Sequence, residues 1–230
     1  MKQKALKAAI PYTLPVMIGY VFLGIGFGIL LTSKGFAWWW SPIMAVFIYA
    51  GSMQYVAVDL LASAFNPINA FILTLTVNAR HLFYGFSLLS RFQSYEKKKP
   101  YMIFALTDET YSVLCATNPP DDVNKEWFDF FIAMLNQIYW VLGCTIGAAG
   151  GAAIQFNSSG IEFVMTALFV VIMVEQWEKA TNHMPVLIGI TASVLSILLF
   201  GKDNFIIPAM AGIIIILTFT RRQLDKQESA

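Results

Sequence analysis

The chain has 230 residues, of which 57% are hydrophobic and only 13% charged, and its mean hydropathy is +0.63. A soluble domain carries about 25% charged residues, so this composition excludes an ordinary soluble domain and points to an all-α, polytopic membrane protein. The formal net charge of +1 provides no basic field for nucleic acid, and no Cys/His spacing suggests a metal or haem.

Lys2, Lys4 and Lys7 precede an apolar run that is too long for a signal h-region and lacks an A-x-A cleavage site, so it reads as a retained first helix. Apolar segments then fall at about 10–32, 41–62, 67–89, 101–117, 128–153, 161–178, 184–200 and 204–220. Pro11, Pro15, Pro42, Pro67, Pro100, Pro185 and Pro208 lie close to segment starts, where the missing N–H is tolerated. Trp38, Trp39 and Trp40 form a run suited to a membrane interface. Cys115 and Cys144 both sit in apolar surroundings and read as small buried residues.

Gly24, Gly26 and Gly28 in the first segment correspond roughly to Gly143, Gly147, Gly150 and Gly151 in the fifth, Gln54 to Gln176, and Pro67 to Pro185. The common order suggests one transmembrane domain, 1–230, built from repeats 8–117 and 128–220. The glycines themselves match no phosphate loop and read as close helix contacts.

Charge bears on topology through the positive-inside rule. Lys2, Lys4, Lys7 and, at the other end, Arg221, Arg222 and Lys226 place both termini in the cytoplasm. Eight full crossings satisfy this but put the basic loop Arg91–Lys99 outside. Re-entrance of 41–62, at Ala50-Gly51-Ser52, and of 161–178 removes the conflict. The preferred fold is then an inverted-repeat transporter with about six crossings and two re-entrant or broken helices, with the basic loop inside and the solvated acidic loop Asp121–Asp129 outside. Eight full transmembrane helices are the alternative.

Between Ala8 and Ser90 the only Asp, Glu, Lys or Arg residues are Lys34, Asp59 and Arg80. A guanidinium at mid-membrane depth costs about 3 kcal/mol or more unless paired or hydrated. Arg80 either snorkels from a displaced helix or faces the bundle interior, toward a carboxylate of the protein or of a substrate. Asn78 is its polar neighbour. His81 is a proton relay or a neutral core residue. Asp108 and Glu109 lie mid-segment and point about 100° apart, so one can pair with Arg80 while the other lines a path, and Tyr111 shares the Asp108 face. Gly51, Ser52 and Gln54 form a broken helix able to offer backbone groups to a ligand, or simply a close-packing site. Glu175 and Gln176 are second-half candidates through the correspondence with Gln54, although Glu175 and Lys179 are also spaced to pair at a surface.

Four stretches together resemble the AzlC/YgaZ-type branched-chain amino acid permeases. They are the glycine-rich first helix, Tyr49-Ala50-Gly51-Ser52-Met53-Gln54, Asn78-Ala79-Arg80-His81-Leu82-Phe83-Tyr84-Gly85, and Thr107-Asp108-Glu109-Thr110-Tyr111. The resemblance implies a bacterial inner-membrane exporter of branched-chain amino acids. It also implies a small hydrophobic membrane subunit of the AzlD/YgaH type as partner. With no nucleotide-binding motif, no paired metal-ligand motif such as H-E-x-x-H and no nucleophile elbow, the expected activity is secondary transport rather than an enzyme, without cofactor or metal. In that reading Gly51, Ser52, Gln54, Asn78, Arg80 and Tyr111 bind substrate, while His81, Asp108 and Glu109 carry protons. A passive amino acid channel or facilitator is the alternative.

Overall fold

The computed structural model describes residues 2–63, 66–153, 163, 166–167, 170, 173–174, 177–178, 180, 182–201, 205, 208–209, 211–213 and 215–220. Its helices are α1 (Lys2–Ser33), α2 (Trp40–Phe47), α3 (Gly51–Ala62), α4 (Pro67–Leu88), α5 (Lys99–Phe104), α6 (Asp108–Ala116), α7 (Lys125–Ala153) and α8 (Met184–Phe200), with a 3-10 turn at Gln93–Lys98. No strand occurs among the described residues. The chain divides into two compact units, Met1–Met165 and Thr166–Ala230. Among the described residues, α1 and α7 are long and apolar enough to cross a bilayer.

Glycine brings α1 and α7 into backbone contact. A Cβ on Gly24 would lie 2.8 Å from the Cys144 nitrogen, and one on Gly143 would lie 2.8 Å from the Val21 carbonyl oxygen. Gly28 and Gly147 extend the same seam one turn further, against Ala148 and Ile25. Small residues four apart give each helix a flat face, and dispersion over that close contact holds membrane helices together. The expected role of these glycines is therefore what the fold uses. Pro11 and Pro15 lie inside α1 rather than at its entry, because the helix already begins at Lys2.

The two helices run parallel. At their starts Lys4 Nζ lies 3.1 Å from Asp122 and Lys2 Nζ lies 4.4 Å from the centroid of the Trp127 ring. Near their ends Thr32 lies against Gly151. The inversion expected between the halves is therefore not seen across this pair.

The segment 41–62 is broken, as expected, but slightly earlier than Ala50-Gly51-Ser52. Ile48 closes α2 and Ala50, in extended conformation, starts α3, while Tyr49 between them has φ +42°. Ser41 Oγ donates to the Cys144 carbonyl at 2.9 Å, and Gln137 Nε2 donates to the Val46 carbonyl at 3.2 Å. After the break the chain turns back. Tyr55 Oη donates to the Leu23 carbonyl at 2.6 Å, and Asp59 lies 3.5 Å from Lys34 Nζ, just past the end of α1. The α2–α3 hairpin thus returns to the end of the α1–α7 pair from which it came.

A second hairpin enters from the other end. The segment 101–117 is not one helix: it breaks at Ala105 to Thr107, and Thr107 Oγ1 caps α6 by accepting from the Thr110 N–H. Lys98 Nζ, just before α5, bonds Glu126 at 2.7 Å. The Leu114 and Thr117 carbonyls, at the close of α6, accept from Arg91, which itself holds Asp129 in the first turn of α7. Both legs of α5–α6 therefore start and finish beside the same end of α7.

These contacts correct the reading of the loops. The acidic stretch Asp121–Asp129 lies at the same end as the basic stretch Arg91–Lys99, joined to it by Arg91–Asp129 and Lys98–Glu126. It is also not simply solvated, since Asp129 is fully buried. Counting 101–117 as a crossing had moved the acidic loop to the wrong side.

In the second unit, α8 opens with a proline in its first turn and closes at Gly201, whose φ is +76°. Trp177 stacks on His183 at 4.1 Å.

Candidate functional site

The two hairpins bring their breaks together halfway along α7. Asn136 and Trp140 lie on one face of α7, one turn apart, about 16–22 Å from its start at Lys125 by helical rise. Gln54, in the first turn and a half of α3, is fully buried, and its Oε1 accepts from Trp140 Nε1 at 2.8 Å. Gly51 sits under the same ring: a Cβ there would lie 3.2 Å from the Trp140 ring edge. Ser52 is buried beside it.

From the other hairpin, Thr110 Oγ1 accepts from Asn136 Nδ2 at 3.0 Å and from Thr107 Oγ1 at 3.0 Å. Thr107 Oγ1 is 2.5 Å from Tyr20 Oη on α1, and Tyr20 donates to Glu109 Oε2 at 2.7 Å. The Tyr20 ring packs edge-on against Trp140, with centroids 5.5 Å apart, which closes the circuit between the hairpins. Tyr49, at the α2–α3 break, packs near Phe104, with centroids 6.1 Å apart.

Three buried polar atoms here have no hydrogen-bond partner among the described residues: Tyr49 Oη, Gln54 Nε2 and Asn136 Oδ1. An orphaned polar group costs roughly 1–3 kcal/mol when buried. The N-terminus of α3, opening at Gly51, has no side-chain cap, so its first N–H groups add an electropositive end at the same level. Two donors, one acceptor and a helix N-terminus at mid-depth suit a small zwitterion.

A second cluster lies on the α4 side of α6. Tyr84 Oη donates to Asp108 Oδ1 at 2.6 Å, and Tyr111 stacks on Tyr84 at 4.4 Å, so Asp108 and Tyr111 share a face as expected. The His81 ring lies edge-on to Tyr84 at 5.9 Å, and its Nδ1 is 3.3 Å from the Asn78 carbonyl oxygen. Asn78 Oδ1 is buried without a hydrogen-bond partner among the described residues. The first turn of α6 thus divides the two carboxylates, Asp108 toward α4 and Glu109 toward α1.

At the Lys2 end, Arg91 Nε and Nη2 donate to the two Asp129 oxygens at 2.6 and 2.7 Å, and Tyr95 Oη donates to Asp129 Oδ2 at 2.6 Å. Burial alone lowers the Arg91 pKa, but the hydrogen bond and charge of Asp129 outweigh it and hold the guanidinium above its ordinary value. The Tyr95 phenol is raised, first by burial and then by its bond to Asp129.

Of the residues expected to form the site, Gly51, Ser52, Gln54 and Glu109 meet at the junction, while Asn78, His81, Asp108 and Tyr111 gather in the second cluster. The Arg80 side chain, Glu175 and Gln176 lie outside the described residues. Cys144 is buried as expected, whereas Cys115 is exposed. Tyr20, Tyr49, Thr107, Thr110, Asn136 and Trp140 were not anticipated. Two signals pointed to some of them: the polar pair Asn136-Gln137 inside an apolar run, and Thr107-Asp108-Glu109, a helix start in mid-segment.

A family model described as AzlC protein matches residues 15–154, the stretch from α1 through α7. The chain is similar to the branched-chain amino acid transport protein AzlC of Bacillus subtilis (strain 168), 49% identical over 97% of this chain and 88% of that protein. It is 39% identical to an uncharacterized membrane protein of Haemophilus influenzae, over 96% of this chain and 91% of the other. It is 30% identical to the inner membrane protein YgaZ of Escherichia coli (strain K12), over 88% of this chain and 84% of the other. No solved structure matches.

Proposed function

The chain belongs to the AzlC family, and on that premise we propose that it exports branched-chain or similar aliphatic amino acids across the bacterial inner membrane, driven by protons. The observation that carries the reading is the junction of two broken helices halfway along α7, where Tyr49 Oη, Gln54 Nε2 and Asn136 Oδ1 have no hydrogen-bond partner among the described residues. The substrate carboxylate takes Gln54 Nε2, Tyr49 Oη and the Gly51-Ser52 helix end, with Arg80 balancing its charge and Asn78 completing the polar cradle. The ammonium takes Asn136 Oδ1. A lining that distinguishes valine from isoleucine only by methylene burial discriminates by about 1–3 kcal/mol, so substrates overlap. Glu109 and Asp108 carry the proton, with His81 as relay and Tyr111 beside Asp108. Glu175 and Gln176 remain second-half candidates.

In membrane terms, α1, α4 and α7 cross, and α2–α3 and α5–α6 are re-entrant from opposite faces, their irregular backbone tolerated because it lines a site. The Lys2 end is cytoplasmic on the positive-inside rule. A small hydrophobic subunit of the AzlD/YgaH type completes the permease.

Leucine efflux from membrane vesicles, with and without an imposed pH gradient, tests the reading. We expect gradient-driven efflux that Asn136→Ala and Gln54→Ala each reduce at least tenfold. Efflux that never exceeds the leucine gradient makes the protein a facilitator, and efflux untouched by both substitutions removes the junction as the site.

A further inference from the structure

The contacts of the hydroxyl chain between Glu109 and Asn136 can all be satisfied only if its donors run in one direction. Tyr20 Oη donates its proton to Glu109 Oε2 at 2.7 Å. Thr107 Oγ1 lies 3.0 Å from Thr110 Oγ1 and donates toward it. Yet Tyr20 Oη and Thr107 Oγ1 are themselves 2.5 Å apart, a distance that requires a proton between the oxygens. Each hydroxyl has one proton, so all three contacts cannot be satisfied while Glu109 is ionised and Thr107 points to Thr110.

Two arrangements satisfy every contact. With Glu109 ionised, Tyr20 donates to it, Thr107 donates to Tyr20, and Thr110 donates to Thr107. Thr110 Oγ1 then accepts from Asn136 Nδ2, as the 3.0 Å contact has it, and Asn136 presents Oδ1, the orphaned acceptor. With Glu109 protonated, the carboxyl donates to Tyr20, Tyr20 to Thr107, and Thr107 to Thr110. Thr110 now donates to Asn136, whose amide turns to present Nδ2 in place of Oδ1. No bond to hydrogen breaks along the chain: each hydroxyl rotates, and the one added proton comes from water to Glu109 and returns to water.

We infer that the Glu109–Tyr20–Thr107–Thr110 chain couples protonation of Glu109 to the ammonium-binding face of Asn136, so that the proton and the substrate exclude each other. This rests on the reading of the junction as an amino acid site. An acceptor faces the ammonium when Glu109 is ionised, and a donor faces it when Glu109 is protonated, which repels the cation. Tyr20, Thr107 and Thr110 are positioning residues. Among the described residues, the titratable groups facing Glu109 include Tyr20 from α1 and Tyr49 from the α2–α3 break. Asp108, its neighbour on α6, is turned to Tyr84 of α4, and α7 presents Asn136 and Trp140, which do not titrate. For an exporter the sign is productive, since acid on the far side drives release there.

The test is leucine counterflow in membrane vesicles from cells expressing the full chain, at equal pH on both faces, with half-saturation followed as pH falls. One linked proton gives a rise in half-saturating leucine of about tenfold per pH unit below the Glu109 titration. Thr110→Val and Tyr20→Phe, which cut the chain at different links, are each expected to flatten that slope, and Thr110→Ser, which keeps the hydroxyl, to retain it. Tyr20→Phe keeps the ring contact with Trp140, so it carries the test if Thr110→Val does not fold. A wild-type slope near zero, or an unchanged slope in either cut variant, overturns the coupling. A wild type that moves no leucine at any pH overturns the transport reading itself.

Discussion

Asp129→Asn removes the charge from the most buried ion pair described at the Lys2 end. Asp129 is fully buried and the Arg91 side chain is 15% exposed. The carboxylate accepts two hydrogen bonds from Arg91 and one from Tyr95, at 2.6, 2.7 and 2.6 Å. Asparagine keeps a single acceptor oxygen and turns an amide donor toward other donors. Breaking a buried pair from one side costs about 3–5 kcal/mol, and two lost charge-assisted bonds at roughly 1.5–3 kcal/mol each give a similar total. By the behaviour of soluble domains of comparable length, this lowers the melting temperature by about 6–20 °C, readable by tryptophan fluorescence of the purified chain in lipid nanodiscs. The paired change Arg91→Met with Asp129→Leu should recover most of the loss, because it leaves no orphaned charge. A shift below about 2 °C in the single variant, outside the range expected for a buried pair, refutes the claim that this clamp holds α5–α6 to α7.

Gly147→Leu should abolish accumulation of folded protein, since even a Cβ there meets the Ile25 backbone, whereas Gly150→Ala, with open space around it, should gain up to about 1 kcal/mol from helix propensity; immunoblots of membrane fractions and thermal melts read the two. Single cysteines placed at Lys97 and Asp121, in a background with Cys115 and Cys144 replaced by Ser, should label from the same face, and one at Lys34 from the opposite face. Labelling of positions 97 and 121 from opposite faces contradicts the α5–α6 hairpin. Gly51→Ala should displace the Trp140 ring by a few tenths of an ångström, shift its emission, and reduce leucine efflux several-fold; unchanged emission counts against the contact.

What was legible in the sequence was mostly local. Gly51 and its neighbours announce a helix break because a small-residue run interrupts an apolar segment, and α2–α3 breaks within two residues of that point. The glycines of the first and fifth segments announce close approach, and Gly24, Gly28, Gly143 and Gly147 meet the backbone of the opposite helix. Glu109 and Asp108 announce themselves as charges in an apolar run, and their 100° separation correctly divides them between Tyr20 and Tyr84. What was hidden depends on pairing between distant residues. Nothing local says that Asp129 meets Arg91, so a charge count treats both as loop residues and assigns them to opposite faces. Thr107 was the missed local signal. It caps a helix in the middle of a segment that reads as one span, and the break it marks is what folds 101–117 into the α5–α6 hairpin.

The two hairpins are fastened unequally. On the Lys34 side, α3 is held at its tip by Lys34–Asp59, at 3.5 Å and with Asp59 57% exposed, a surface pair of the kind worth about 0–1 kcal/mol. On the Lys2 side, α5–α6 is held by the buried Arg91–Asp129 clamp, whose rupture costs about 3–5 kcal/mol. A difference of roughly 2–5 kcal/mol is a ratio of about thirty to several thousand in spontaneous opening at one end relative to the other. Under the orientation proposed above, an exporter that opens by loosening these ties waits with its outer mouth loose and its inner mouth latched, and loading from the cytoplasm becomes the slow step of its cycle.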